Sequence, residues 1–288
     1  MASSDVTKGS KADVYGQFHP VETKEMILEK LEDFEAEIKK LPEEDKKNLL
    51  EAEEKCPDLV TDSFKLIFLR SEVFNADLAA KRYAKYWDKR VEIFGPEKAF
   101  LPLTLDGALK DDDAALTIGY ANFLHGHCDP QGRSIMYMEA GRQDKTKYSR
   151  ESMVRAIWYM LHAAMENEET QKYGMLFVTY PGGVTMSQID RGLIKILLPS
   201  IQGTIPVRLS AFHSCQPPTF LKLVLPFVKL FMSERTKDRL LFHFGSTEKV
   251  CRKLQSYGLR KEDIPQTLGG NVVVDTKAWI EQRRAEGK

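Results

Sequence analysis

The 288-residue chain has room for one medium α/β domain with a helical appendage, or for two small domains, and is long enough to bury a sizeable core. Its composition, 42% hydrophobic and 29% charged, is ordinary for a soluble globular protein, and 42 basic against 42 acidic residues leave no net charge. No whole-molecule field therefore argues for nucleic acid, and none is expected as a partner. Charge is uneven along the chain: Glu22 to Glu54 holds thirteen acids against six bases, and Lys222 to Lys253 eight bases against three acids. An acidic front and a basic back suit docking on an anionic surface, and suit equally two solvated helix faces.

Met1-Ala2-Ser3-Ser4-Asp5 carries no apolar stretch of the signal-peptide kind, and Ala2 excludes myristoylation. Residues 1–20 are small and polar and are expected to be disordered. From Thr23 the pattern turns helical, with Ile27, Leu28, Leu31, Phe34 and Ile38 at three- and four-residue spacing. Pro42 and Pro57 punctuate short helices. Thr61 and Asn75 are N-cap candidates for helices through Phe64–Arg70 and Tyr83–Val91, the second ended by Gly95-Pro96. Residues 21–100 are thus read as a small helical domain.

Residues 101–288 read as a second, α/β domain. Arg133–Glu139 is a strand after the turn Asp129–Gly132, and Ser149 opens an amphipathic helix to Met165. Met175–Tyr180 is a continuous apolar run, the mark of a strand covered on both faces. Ser187 opens the next helix. Val207–Cys215 and Leu240–Phe244 are further strands, and a helix runs from Ser246 to Tyr257. Strands alternating with helices predict a mainly parallel sheet flanked by helices.

The usual catalytic and nucleotide motifs are absent. There is no GxxxxGK[ST], no GxGxxG after a strand and no GxSxG elbow. No enzyme activity and no cofactor are expected. Cys56, Cys128, Cys215 and Cys251 are far apart with no CxxC spacing, so free thiols in a reducing compartment are the default. His125 and His127 alternate as half a metal site would on an extended chain, but no partner pair stands at recognisable spacing, and no metal is expected. Nowhere do 18 apolar residues run together, so no membrane span is predicted and the protein reads as cytoplasmic.

Pro217 to Met232 is the unusual segment. Apart from three prolines, Thr219, Lys222 and Lys229, every residue in it is Phe, Leu, Val or Met. It is too short to cross a bilayer, and Pro226 would kink a helix there. A buried core helix is one reading. The other is a lid whose apolar faces serve both a ligand and a membrane interface, because Arg235, Lys237 and Arg239 follow at once and apolar surface beside cations favours anionic lipid.

Four stretches in order resemble the CRAL-TRIO family of lipid-binding proteins with its small N-terminal helical domain. They are Phe68-Leu69-Arg70 with Phe74 and Ala79-Ala80; Asp129 to Arg133 with Ile135 to Tyr137; Pro206 to His213 with Pro218, Phe220, Lys229 and Phe231; and Ile264-Pro265 to Leu268-Gly269-Gly270. The resemblance covers about residues 42–275. It implies an α/β bowl holding one lipid or other hydrophobic molecule under a gate helix, here about 217–232. It also implies transfer or presentation of that lipid between membranes, with transient docking on an anionic surface. A bound lipid is the only small molecule expected, and a monomer the expected state.

Ligand-contact candidates are Tyr137, Trp158, Phe177, Phe212, His213, Phe220, Val224, Phe227 and Phe231. Head-group candidates on positions matching the family's basic residues are Arg208, Lys237, Arg239 and Arg70. Val207 stands where phosphatidylinositol-transferring members carry an acid, and Glu72 where the first motif has its second arginine. Two other readings stay open: a regulatory module with a packed core that presents the acidic helix Glu25–Lys40, and a metal-dependent or hydrolytic enzyme centred on His125, His127 and His213.

Overall fold

Most of the longer helices begin on a side chain that accepts a backbone N–H left over in the first turn, which fixes where each starts. Thr23 caps α1 (Lys24–Lys40), Thr61 caps α3 (Asp62–Ser71) and Asn75 caps α4 (Ala76–Lys98), with α2 (Lys47–Lys55) between the first two. These come from a computed structural model that describes residues 11–288. The chain divides into two compact units, residues 1–102 with 203–208, and residues 103–202 with 209–288.

The first unit is helical. Its core is aromatic, with Phe34, Phe64, Phe68, Tyr83 and Tyr86 meeting edge to face or tilted at centroid distances of 4.8–6.0 Å. At Gly95, φ 76° and ψ 162° break the helical path, and Pro96 starts one more turn to Lys98. The segment 203–208, which the sequence groups with the second domain, belongs to this unit: Arg82 donates to the Ile205 carbonyl at 3.3 Å. Residues 1–10 of the tail expected to be disordered lie outside the described residues. Residues 11–20 form a turn in which Asp13 accepts from Tyr15 and Gln17 and lies 2.8 Å from the buried His19.

The second unit opens with α5 (Asp113–Thr117) and holds a five-stranded sheet in the sequential order β1 (Ala121–Cys128), β2 (Ser134–Glu139), β3 (Met175–Tyr180), β4 (Leu209–Cys215) and β5 (Leu240–His243). β1 pairs antiparallel with β2, and every later pair is parallel. The crossovers are α6 (Arg150–Ala164) with α7 (Glu168–Tyr173), then α8 (Arg191–Ile201), then α9 (Leu221–Lys229) with α10 (Glu234–Lys237). Parallel crossovers are right-handed, so a sheet laid down in sequential order receives its crossover helices on one face. The other face is covered from beyond β5, by α11 (Thr247–Gln255) and the chain to Leu268. α12 (Thr276–Ala285) closes the chain near β1 and α6: Phe123 and Tyr159 each meet Trp279, at 5.5 and 5.9 Å.

Several elements differ from the sequence reading. The helix expected at Ser187 begins at Arg191, capped by Asp190, because Thr185 and Gln188 close a separate turn over Met186–Gln188. α5, β1, α7 and α12 are additional.

Candidate functional site

A strand turns alternate side chains to opposite faces of its sheet. In register across the sheet lie Phe177, Phe212 and Leu240, and one step further Met138, Thr179, Ser214 and Phe242. All seven line a cavity of about 250 Å³ inside the second unit. The Phe177 and Phe212 rings stack there, 5.9 Å apart and 9° from parallel. Opposite them stand Ile194, Leu197, Leu198 and Ile201 of α8 and Ile157 of α6.

α9 closes the space. Leu221, Val224, Leu225 and Val228 face inward at helical spacing, with Pro218, Phe220 and Met232 at its ends. Its other side carries Leu223 and Leu230, 73% and 77% exposed, with exposed Pro226 between them and Lys222 adjacent. Pro226 cannot donate to the Lys222 carbonyl, so the helix lacks a rung at its middle. Both ends are tethered by glutamine. Gln216, at φ 51°, turns the chain out of β4; its backbone N–H donates to His243 O at 2.8 Å and its side chain to Gly245 O at 3.0 Å. At the far end Gln202 donates to the Phe231 carbonyl and accepts from Ser233 N at 2.6 Å.

Of the ligand-contact candidates, Phe177, Phe212, Phe220 and Val224 come together in this lining. The other five lie elsewhere. Tyr137 points to the opposite face, where its hydroxyl meets Thr267 at 2.8 Å. His213 points the same way, fully buried, with its Nδ1 2.8 Å from His243 Nε2 and its ring against Tyr257. Trp158 turns to Ser200, donating at 3.2 Å. Phe227 and Phe231 pack on each other outside the cavity, with Arg191 above Phe227. The strand period separates these sets: a residue next to Phe212 cannot share its face. The same period, carried two residues on from Phe177 and Phe212, finds Thr179 and Ser214, which the sequence reading missed along with the whole α8 wall.

The basic candidates are held by local partners. Arg70 makes a buried two-pronged pair with Glu22 at 2.7–3.2 Å. Arg208 lies 3.4 Å from the His19 ring in the same unit, and Glu72 pairs with Arg82 at 2.7 Å. In the second unit Lys237 pairs with Glu234 at 2.6 Å, and Arg239 donates to the Leu209 carbonyl. His127 faces Asp263 at 3.3 Å, and no group of three His, Cys, Asp or Glu placed to hold a metal occurs among the described residues.

An apolar space between a mainly parallel sheet and a short amphipathic helix is the architecture of a hydrophobic-ligand domain. The profile of the CRAL/TRIO domain matches residues 118–270, over half of the chain, and the protein belongs to that family. It is similar to the human alpha-tocopherol transfer protein-like protein, 27% identical over 233 residues that cover 77% of this chain and 64% of that one. It is also similar to human clavesin-2, 25% identical over 212 residues, 73% and 62% of the two chains. The match thus spans just under two thirds of these relatives. The crystal structure of Sfh5 has a like fold, with TM-score 0.51 and 15% identity over 80% of this chain and 83% of that one.

Proposed function

We propose that the protein holds one lipid-like molecule in the cavity behind α9 and transfers or presents it between membranes, without catalysis. The observation that carries this reading is the two-sided helix: one side of α9 lines an apolar cavity and the other offers Leu223 and Leu230 to the surroundings. A packed-core module has no use for such a space, because protein interiors otherwise pack to crystal-like density.

A gate answers a physical need. At about 0.8 kcal/mol per methylene, exposing a sixteen-carbon chain to water costs roughly 13 kcal/mol. A lid that opens while resting on a bilayer lets the chain pass between two apolar media. In this reading Leu223 and Leu230 enter the interface, and Lys222, Lys237 and Arg239 favour anionic lipid. Arg208 and Arg70 remain head-group candidates, and the buried pair with Glu22 favours a structural part for Arg70. No helix among the described residues is long and apolar enough to span a membrane; the docking proposed is from a cytoplasmic, peripheral position. The relatives' names support lipid transfer as the activity.

The test is organic extraction of the purified protein followed by mass spectrometry, alongside uptake of a fluorescent lipid from vesicles. Co-purified lipid and saturable uptake are expected. Neither being found would overturn the carrier reading.

A further inference from the structure

The cavity wall is apolar except at three hydroxyls, those of Tyr120, Thr179 and Ser214, and it contains no charged side chain. Thr179 and Ser214 are register partners on β3 and β4, side by side on the floor in the row Met138, Thr179, Ser214, Phe242. The row beside it, Phe177, Phe212 and Leu240, is wholly apolar. Ser214 is 95% buried, and among the described residues neither floor hydroxyl has a hydrogen-bond partner. Neither hydroxyl is sealed from solvent, so both open onto the cavity, and a cargo that filled it without offering a partner would strand them at a cost that Val and Ala in the same two places would not incur.

On the carrier reading above, we propose that this hydroxyl pair recognises an uncharged hydrogen-bonding group on the cargo, a hydroxyl or carbonyl oxygen, so that the cavity selects neutral lipids over ionised ones. Each floor hydroxyl can donate and accept, so the pair answers an alcohol or a carbonyl alike. An ionised carboxylate or phosphate on that floor would face no cation, and an isolated buried charge is far costlier than an unpaired hydroxyl. Tyr120 adds a third neutral group. Burial pushes its phenol well above the ordinary tyrosine range, so it keeps its proton. A site built to bond one oxygen discriminates against a ligand that lacks it, because its own polar groups are then stranded.

Three ligands of equal chain length separate the possibilities. The delipidated full-length protein is loaded with the neutral fluorophore N-phenyl-1-naphthylamine, then titrated at pH 8 with hexadecanol, hexadecanoate or hexadecane delivered from cyclodextrin. The parent should bind hexadecanol at least about tenfold more tightly than hexadecanoate. In T179V/S214A, hexadecanol should lose about tenfold relative to hexadecane, as expected for one or two hydrogen bonds. The hexadecane titration of the same variant shows whether its cavity is intact. Equal binding of the alcohol and the carboxylate by the parent, or an unchanged alcohol-to-alkane ratio in the variant, overturns the neutral-group inference while the carrier reading stands. Displacement by none of the three, with no co-purified lipid, overturns both.

Discussion

At the scale of single residues, two buried polar pairs set how the second unit responds to acid and to mutation. Asp129 accepts from the backbone of Gln131 and Arg133 and pairs with the Arg133 side chain at 2.9 Å, both residues being buried. Asp129→Ala would leave a guanidinium buried without its counter-charge, which costs about 3–5 kcal/mol. Urea unfolding of parent and variant measures it. The second pair is His213 with His243. Burial, then the neighbouring His243, push the His213 imidazole down to about 3, and burial with Lys253 nearby lowers His243. Between the ordinary histidine value and pH 3 the unfolded chain therefore binds a proton that the folded chain excludes. Stability should be flat above pH 6.5 and fall as pH drops through that window, by up to about 1.4 kcal/mol per pH unit for one proton. Denaturant midpoints at pH 7 and pH 5 check this, and His213→Asn should flatten the slope. A sequence does not announce such a pair, since thirty residues separate the two rings. It does say that Phe212 and His213 face opposite ways, so naming both as ligand contacts broke the strand period, and that period alone excludes His213 once Phe212 lines the cavity.

At the scale of elements, α9 behaves as a strap held at two points. Gln202→Leu removes the contacts of the distal tether, to Phe231 and Ser233 and the longer one from Thr236. With each of the two shorter hydrogen bonds contributing about 1 kcal/mol, release of a fluorescent lipid should quicken by roughly thirtyfold in stopped-flow mixing. The outer side is tested separately. Burying a leucine contributes about 1.5–3 kcal/mol, so Leu223→Glu with Leu230→Glu should weaken co-sedimentation with anionic vesicles by at least about tenfold and leave secondary structure in place. α9 was legible because its composition is extreme. β3 was legible because Met175–Tyr180 is a continuous apolar run between Gly174 and Gly182, and β4 and β5 because each falls in order between helical stretches. β1 was not: Gly126, at φ 79°, sits in an irregular stretch between Phe123 and Cys128 that breaks the ladder, so its alternation is lost. The start of α8 was misplaced because two capping sequences, Thr185 to Gln188 and Asp190, follow each other directly, and only packing chooses which opens the longer helix.

At the scale of the whole molecule, the strand order explains why a cavity exists at all. Winding always in one direction stacks α6, α8 and α9 over one face, and three short helices meeting over a twisted sheet leave a space that none of them fills. The alternation of strands and helices that predicts the parallel sheet is visible in the chain. The volume of the space is not, because it depends on side chains from three crossovers meeting over Phe177 and Phe212.

That space also bears on how long the protein survives. Apolar volume that is left unpacked destabilises a fold in proportion to its size. A domain's whole folding margin is about 5–15 kcal/mol. A cargo molecule would then be the missing part of the core, and chains synthesised without it would be preferred prey for proteases. Starving cells of the lipid should shorten the half-life of the protein in a pulse-chase experiment, and a cavity-filling Ser214→Leu should blunt that dependence. Abundance would then follow supply without any dedicated sensor.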